Sequence, residues 1–389
     1  MFSAPKPAQR MAQIQAPIMP IIARLIAANP GTITLGQGVV SYRPPPEVLK
    51  SVDQFGADLD EHRYQAVGGI PALRERIIAK LALENGTDIR GREVVVTAGA
   101  NMAFLNAILA ITDPDDEVIL LRPYYFNHEM AIRMVGAVPR FVSTDDNYQP
   151  VVERIADAIT PCTRAIVTIS PNNPTGATYS PEALSAINRL CGERGLYHIS
   201  DEAYEYFVYD GAEHYSPASE PDSVRHTISL YSLSKAYGFA SWRIGYMMIP
   251  AHLQDDVIKV QDTNLICAPV VSQHAAIAAL EVGRAFCDAH ISRLAEVRAM
   301  AFDALAKLAE VVTIPPATGA FYAFLRLNRP LDAMTVATRL IEQHRVAVVP
   351  GDTFGTDGGC YLRVSYGALD ADTVREGMSR LVTGLEAYA

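Results

Sequence analysis

The sequence predicts an α/β fold in which a mostly parallel sheet is covered by helices on both faces. Short apolar runs alternate with stretches in which apolar residues recur at helical spacing. The runs are apolar at nearly every position, as in strands whose two faces are both buried. Further strands and helices follow a long helical stretch, and this order predicts a second, smaller α+β domain.

The first hundred residues are predicted to begin with an arm, because about 30 residues rich in Pro, Ala and Gln come first. The pattern then predicts helices at Ile18–Ala28, Glu47–Val52 and Pro71–Ala82, and strands at Ile33–Leu35 and Glu93–Thr97. An Asn-Pro-Gly sequence and a Pro-Pro-Pro sequence separate the early elements. The last of these strands leads through small residues into an apolar helix that ends at Ile111.

The middle of the chain supplies most of the predicted parallel sheet. Its strands are predicted at Glu117–Leu121, Pro139–Val142, Ala165–Ser170, Tyr197–Ser200, Thr227–Tyr231 and Ile244–Ile249. Helical stretches at Val151–Ile159 and Pro181–Arg194 lie between them. The strand at Ile244 follows its predecessor after only a short connection, which favours an antiparallel orientation.

The last third is predicted to be helical from Val257 to Leu308 and then to alternate. Strands are predicted at Val311–Ile314, Ala320–Leu327, Val346–Val349 and Tyr361–Ser365, and helices at Ala333–Gln343 and Ala371–Leu385. We therefore expect a large domain at 46–280 and a small domain at 281–389. Residues 1–45 are expected to form an arm and part of the small domain.

Composition excludes several classes of protein. A formal net charge of −10 and a pI near 5.4 disfavour nucleic-acid binding. The five cysteines are scattered and none forms a CxxC pair, so we expect reduced thiols, no metal site and a cytoplasmic location. The N-terminus lacks the pattern of a secretory signal, and no run of about 18 apolar residues predicts a membrane span.

Polar side chains follow several predicted strands at the point where each strand ends. Lys235 comes just beyond Thr227–Tyr231, Asp201 directly follows Tyr197–Ser200, and Asn173 lies in a turn. Ligands bind at the carboxyl ends of strands in open α/β sheets. The simpler interpretations are a loop lysine, a helix cap and a structural turn.

Other residues are suited to binding a phosphate. Ser232, Ser234 and Arg243 combine hydroxyl groups with a guanidinium, which together bind oxyanions strongly. Ala100 and Asn101 open the helix after Glu93–Thr97, where small residues allow a phosphate to approach the helix N-terminus. No GxGxxG or GxxxxGK[ST] sequence occurs, which argues against a nucleotide-binding enzyme.

Three further side chains complete a set that pyridoxal 5′-phosphate requires. Tyr125 follows a strand and is suited to stack on a planar ring. Tyr204 lies three residues beyond Asp201 and offers a hydroxyl to a ring oxygen. Arg363 is a charge inside an otherwise apolar strand, and a bound substrate carboxylate would pair with it. Lys235 would bind the aldehyde, and Asp201 would keep the ring nitrogen protonated.

The motifs PNNPTG, SDEAY, SLSKAYGFASWRIGY and YLRVSY occur in this order. Together they closely resemble those of the class I/II aminotransferases, the aspartate-aminotransferase-like family of fold type I. The resemblance extends from about Leu35 to Leu385. It implies a mostly parallel seven-stranded sheet, pyridoxal 5′-phosphate as cofactor, and transfer of an amino group from an L-amino acid to a 2-oxo acid.

The resemblance also implies a role for each candidate residue. Lys235 forms the Schiff base and moves the substrate proton, while Asp201 pairs with the ring nitrogen. Tyr64 is similar to a tyrosine that reaches the phosphate of the neighbouring subunit, which implies a homodimer with shared active sites. The other implied contacts are the ring oxygen for Tyr204 and Asn173, ring stacking for Tyr125, the phosphate for Ala100, Asn101, Ser232 and Arg243, and the substrate carboxylate for Arg363, Asn173 and Gly38.

Two departures bear on the substrate. Prokaryotic aspartate-specific relatives have a lysine at the position of Asn101, and another aspartate subgroup uses an arginine that the stretch Asp262–Cys267 lacks. The turn at Leu35–Gly38 is similar to that of kynurenine and methionine aminotransferases. We therefore expect a neutral or aromatic amino donor, with 2-oxoglutarate as acceptor.

Alternatives remain open at this point. A lyase or cyclase of the carbon–sulfur β-lyase type would use the same residues, and aspartate is the alternative donor. A cofactor-binding sensor domain of a transcription regulator is disfavoured, because only about 30 residues precede the predicted fold and they are not basic.

Overall fold

A seven-stranded sheet lies at the centre of the structure, a computed structural model that describes residues 5–388. The strands in chain order are β1 (Ile33–Thr34), β2 (Arg92–Thr97), β3 (Glu117–Arg122), β4 (Val138–Ser143), β5 (Thr163–Ile169), β6 (Tyr197–Asp201), β7 (Thr227–Ser232), β8 (Gly245–Pro250), β9 (Val312–Thr313), β10 (Tyr322–Leu327), β11 (Val346–Ala347), β12 (Val349–Pro350) and β13 (Cys360–Ser365). The central sheet has the order β2-β8-β7-β6-β5-β3-β4. Only β8 runs in the opposite direction to the other six strands, so the mostly parallel seven-stranded sheet is confirmed.

Helices connect these strands and cover the sheet. They are α1 (Ile18–Ala28), α2 (Pro46–Gln54), α3 (Pro71–Glu84), α4 (Ala100–Ile111), α5 (Phe126–Val135), α6 (Val152–Asp157), α7 (Pro181–Arg194), α8 (Leu233–Ala236), α9 (Gln254–Asn264), α10 (Val270–Val282), α11 (Arg284–Leu305), α12 (Ala333–His344) and α13 (Ala371–Glu386). The long helical stretch predicted from Val257 is three helices, interrupted before Pro269 and at Gly283. No helix in the described part of the chain is long and apolar enough to cross a membrane.

Two smaller sheets bring the ends of the chain together. Strands β12, β13, β10 and β9 form an antiparallel sheet, and β1 pairs in parallel with β11. The single strand predicted at Val346–Val349 is wrong, because the chain changes sheets at Val348. An apolar run does not indicate which partner each of its residues will pair with. The domain boundaries at residues 45 and 280 stay a prediction, and residues 1–4 and 389 lie outside the described residues.

Helix α5 was not predicted from the sequence. It begins after Tyr125 and ends at Gly136, which adopts the left-handed conformation that favours glycine at a helix end. Its buried face includes His128 and Glu129, so polar residues interrupt the apolar spacing that usually reveals a helix. Helix α5 positions two residues of the candidate site, Tyr125 at its N-cap and His128 in its first turn.

Candidate active site

The carboxyl ends of neighbouring parallel strands meet at one edge of the central sheet and form a cavity there. Strands β3, β5, β6 and β7 each end at this edge, as expected for a ligand site in an α/β sheet. The predicted residues that line the cavity are Ala100, Asn101, Tyr125, Asn173, Asp201, Tyr204, Ser232, Lys235 and Arg243. Ser234, which the sequence also singled out for phosphate binding, lines it too.

Lys235 lies on α8, a single helical turn that starts directly after β7. The Ser232 side chain caps this turn by accepting a hydrogen bond from the Ser234 amide at 3.1 Å. The buried Lys235 ammonium donates to the Gly38 carbonyl at 2.6 Å. Burial, with smaller contributions from Arg363 and Arg243, lowers the pKa of Lys235 to about 8. About one amine in ten is then neutral at pH 7, which makes Lys235 a usable nucleophile.

Asp201 is the last residue of β6 and is held on both of its oxygens. One oxygen accepts from the Ala203 amide at 3.1 Å, and the other lies 3.2 Å from Nε2 of His128. His128 in turn stacks on Phe104 with ring centroids 3.9 Å apart. His128 was not predicted from the sequence; its one signal is its position three residues after Tyr125. The carboxylate is thereby fixed at the sheet edge, facing the cavity.

Tyr204, Tyr322 and Asn173 form a hydrogen-bonded group beside the cavity. The two tyrosine hydroxyls are 2.7 Å apart, and the Asn173 amide donates to the Tyr204 hydroxyl at 3.4 Å. Burial raises the pKa of Tyr204, which therefore stays a neutral phenol able to donate a proton in a hydrogen bond. Tyr322 was not predicted from the sequence because it lies in an apolar strand with no motif to mark it.

Arg363 lies on β13 and is almost fully buried without an ion-pair partner among residues 5–388. Its guanidinium donates to the Asn173 side-chain oxygen and to the Gly36 carbonyl, both at 2.8 Å. It also lies over the Tyr322 ring, 4.6 Å from the centroid, and its Nε has no partner. A buried cation with an unused N–H is suited to bind a carboxylate.

The turn between β2 and α4 provides an anion cradle. Gly99 has a φ of +84°, and a Cβ there would lie 2.4 Å from Nη2 of Arg243. The Arg243 guanidinium is held by the Ala98 and Ala240 carbonyls at 3.2 and 3.0 Å. Ala100 is the first residue of a 12-residue helix with no acidic residue in its first turn, so its free amides favour an anion.

Tyr125 and Asn101 lie together at another wall of the cavity. The Tyr125 hydroxyl accepts a hydrogen bond from the Asn127 amide at 2.8 Å. Burial raises the pKa of Tyr125, and hydrogen bonds with Asn101 and Asn127 oppose that increase. The ring of Tyr125 is therefore fixed in orientation, as a stacking residue must be.

Tyr64 does not join this cluster within one chain. Its side chain is 80% exposed. It lies on a surface groove that also includes Phe55, Leu265 and Pro269. Its contact with the phosphate of a neighbouring subunit stays a prediction.

The donor set fits pyridoxal 5′-phosphate. The cavity combines an amine with a lowered pKa, a fixed carboxylate, a neutral phenol and an anion cradle of backbone amides, hydroxyls and Arg243. The unused N–H of Arg363 adds a place for a carboxylate. No cluster of three or more potential metal ligands occurs among residues 5–388.

Comparison with known proteins gives consistent matches along the whole chain. The family model described as aminotransferase class I and II matches residues 30–381. An aromatic aminotransferase of Arabidopsis thaliana is 34% identical over 380 residues, covering 95% of this chain and 94% of the relative. An aspartate aminotransferase of Streptomyces avermitilis is 36% identical over 379 residues, covering 92% and 90%. A solved single mutant of Thermus thermophilus aspartate aminotransferase superposes with a TM-score of 0.90 at 30% identity, covering 98% and 100%.

Proposed function

The chain belongs to the class I and II aminotransferases, and we propose that its amino donor is a neutral or aromatic L-amino acid. The enzyme depends on pyridoxal 5′-phosphate and transfers an amino group between an amino acid and a 2-oxo acid. The proposed acceptor is 2-oxoglutarate. Aspartate is the alternative donor, since relatives named aspartate aminotransferase are equally similar.

The observation that supports a neutral donor is the number of cations around the cavity. Among the described residues of one chain, the cations that line or border the cavity are Lys235, Arg243 and Arg363, and we match them to the aldehyde, the phosphate and the α-carboxylate, respectively. A second substrate carboxylate would meet the neutral Asn101 amide, which lines the cavity together with Tyr125. An unpaired buried carboxylate costs several kcal/mol, so an acidic side chain is disfavoured.

Each residue of the cluster has a proposed role in the reaction. Bound pyridoxal 5′-phosphate supplies an electron-withdrawing ring that stabilises negative charge at the substrate α-carbon. Asp201, oriented by His128, would keep a proton on the ring nitrogen. Tyr204 and Asn173 would hydrogen-bond the ring oxygen, and Tyr125 would support the ring.

Substrate binding and proton transfer are assigned to the other side of the cavity. Arg363 binds the α-carboxylate together with Asn173 and the Gly38 backbone, and so orients the α-hydrogen. Lys235 has a neutral fraction at pH 7 and accepts that proton at Nζ, then delivers it. Ala100, Asn101, Ser232 and Arg243 would hold the phosphate.

The proposed assembly is a homodimer in the cytoplasm. Tyr64 is exposed beside a groove, in keeping with a role in a neighbouring subunit's site. All five cysteines are unpaired, as expected for a reducing compartment.

Steady-state rates with single donors test the proposed specificity. With 2-oxoglutarate as acceptor, we expect kcat/KM for phenylalanine or methionine to exceed that for aspartate by more than about tenfold, roughly 1.4 kcal/mol in the transition state. Asn101→Lys should raise kcat/KM for aspartate, while the uncharged control Asn101→Gln should not. A wild-type preference for aspartate of more than about tenfold would contradict the proposal. Pyruvate and ammonia formed without an acceptor would instead indicate a lyase.

A further inference from the structure

The helical turn that carries Lys235 depends on contacts from outside. Helix α8 has only four residues, so few hydrogen bonds within it hold the backbone. The Tyr42 hydroxyl donates to the Lys235 carbonyl at 2.9 Å and also lies 3.1 Å from the Ala236 carbonyl. The buried Cys287 thiol approaches the same Ala236 oxygen at 3.2 Å. Tyr42 is therefore the one side chain that hydrogen-bonds the Lys235 main chain in the described part of the molecule.

The segment containing Tyr42 also holds the other end of Lys235. The Gly38 carbonyl, four residues before Tyr42, accepts the hydrogen bond from Nζ at 2.6 Å. The backbone of Gly238 lies close to the backbone of Tyr42, so that a Cβ at Gly238 would be 2.9 Å from the Tyr42 carbonyl oxygen. Residues 38–42 thus contact the side-chain amine of Lys235, the main-chain carbonyl of Lys235 and the turn that follows at Gly238.

Tyr42 is itself fixed by a residue of helix α11. Its ring stacks on His290 with centroids 3.9 Å apart and planes inclined by 13°. Phe286, one turn earlier on α11, packs edge-on against Tyr42 at 5.9 Å. Burial lowers the pKa of His290, so the stacked ring is neutral. The stack connects α11 to Lys235 through Tyr42, in addition to the contact that Cys287 of the same helix makes with Ala236.

We propose that Tyr42, supported by His290, is a positioning residue that sets the main-chain position of Lys235 and hence where its Nζ lies during proton transfer. This inference rests on the proposed role of Lys235. It adds two residues that touch no reacting atom and that no motif indicated.

The consequence is a dependence of proton transfer on the Tyr42 hydroxyl. A misplacement of about 1 Å lowers the rate of such a step by up to about a hundredfold. Losing one of several contacts should move Lys235 less than that. We expect Tyr42→Phe, which keeps the ring stack, to lower kcat about threefold to tenfold while KM for the donor changes less than about twofold.

A second readout follows the lysine nitrogen directly. In the structure, the Lys235 Nζ lies near Arg363, Arg243 and Asp201, and it is 6.0 Å from the centroid of the Tyr204 ring. Burial and the two arginines disfavour a proton there. A less constrained nitrogen should move away from them, so the midpoint of the pH titration of the cofactor's absorbance should rise by about 0.5 unit, a threefold change in affinity for the proton.

The matched control is Tyr209→Phe. Tyr209 is also buried, and its hydroxyl has no hydrogen-bond partner in the described structure. The same loss of one hydroxyl should leave kcat and the titration midpoint unchanged. A Tyr42→Phe enzyme with wild-type kcat and wild-type midpoint overturns the proposal.

His290 variants test the support of Tyr42 even if Tyr42→Phe folds poorly. His290→Ala should shift kcat and the midpoint in the same direction as Tyr42→Phe, and His290→Phe, which restores an aromatic partner, should reverse both shifts. Equal behaviour of the two His290 variants contradicts the proposal. Lys235→Ala separates the two levels of inference, because cofactor still covalently attached to that variant would refute the role of Lys235 itself.

Discussion

At the scale of single residues, two adjacent buried carboxylates have different surroundings. Asp201 faces the cavity and pairs with His128. Glu202 faces away from it, with His214 Nε2 at 2.9 Å and the Ser216 hydroxyl donating to it at 3.1 Å. Both side chains are almost fully buried, so burial alone does not distinguish them. The two carboxylates differ in their neighbours, since Asp201 faces the cavity whereas Glu202 contacts only protein groups such as His214 and Ser216.

This difference predicts opposite outcomes for two isosteric substitutions. Asp201→Asn should lower kcat by at least about a thousandfold, near 4 kcal/mol, because it removes the negative partner of a buried protonated nitrogen. Glu202→Gln should keep kcat within about threefold but lower the free energy of unfolding by about 1–3 kcal/mol, since one charged hydrogen bond weakens. Steady-state kinetics and denaturant unfolding measure the two effects. A large loss of kcat in Glu202→Gln, or near-normal kcat in Asp201→Asn, would contradict the assignment.

The candidate site residues that the sequence predicts are those with a charge or polar group at an unexpected position. Lys235, Asp201 and Arg363 are charges placed at strand ends or inside a strand, so each called for an explanation. His128 and Tyr322 reach the site only because a helix and a strand bring them there. Their contacts join residues more than 70 positions apart (Asp201 and Tyr204, respectively), which local patterns do not report.

At the scale of elements, the junction of β2 and α4 depends on glycine. The conformation of Gly99, with φ +84° and ψ 167°, is nearly restricted to glycine. The absence of a side chain also leaves room for the Arg243 guanidinium. A strand, a turn and a helix N-terminus thereby combine into one anion cradle.

Gly99→Ala is therefore expected to weaken cofactor binding. The added Cβ should displace Arg243 and strain the turn, raising the dissociation constant for pyridoxal 5′-phosphate by about tenfold or more, at least 1.4 kcal/mol. Gly195→Ala is the matched control, because Gly195 also has a positive φ, +65°, but no atom lies within 4 Å of a Cβ placed there. The control should lose about 1–2 kcal/mol of stability and keep its cofactor affinity. Equal affinities of the two variants, measured by absorbance titration, would contradict the cradle.

Most elements of the fold follow from local patterns, and the exceptions have physical causes. The strands of the central sheet are buried on both faces, so continuous apolar runs mark them. Helix α5 was missed because the polar residues His128 and Glu129 lie on its buried face. The division of the run at Val346 into β11 and β12 depends on partners at the two ends of the chain, Ile33 and Arg363.

At the scale of the whole molecule, the surface groove beside Tyr64 is the feature that bears on assembly. The Tyr64 side chain is 80% exposed, which is a large fraction for an aromatic residue in water. Tyr64 borders the groove that includes Phe55 and Leu265. Large exposed apolar groups close together indicate an interface. If Tyr64 serves the site of a second copy, each active site needs residues from two chains.

Mixing two defective variants tests this shared site. In a mixed dimer of Lys235→Ala and Tyr64→Ala chains, the Tyr64→Ala chain keeps its own Lys235 and receives Tyr64 from its partner, so one intact site forms. Random exchange places half of the chains in mixed dimers, and each mixed dimer has one intact site of two. We therefore expect about a quarter of wild-type activity at limiting cofactor, above the sum of the separate variants.

The control mixture combines Lys235→Ala with Asp201→Asn. These two residues lie in the same protomer's cavity, so every site in every dimer carries one of the defects, and no activity should return. Activity in the Tyr64 mixture that equals the sum of its components would show that Tyr64 acts within its own chain or not at all. Activity that returns in the Tyr64 mixture but not in the control mixture shows that each site needs two chains. Only a Tyr64 side chain supplied across the interface can restore an active site there.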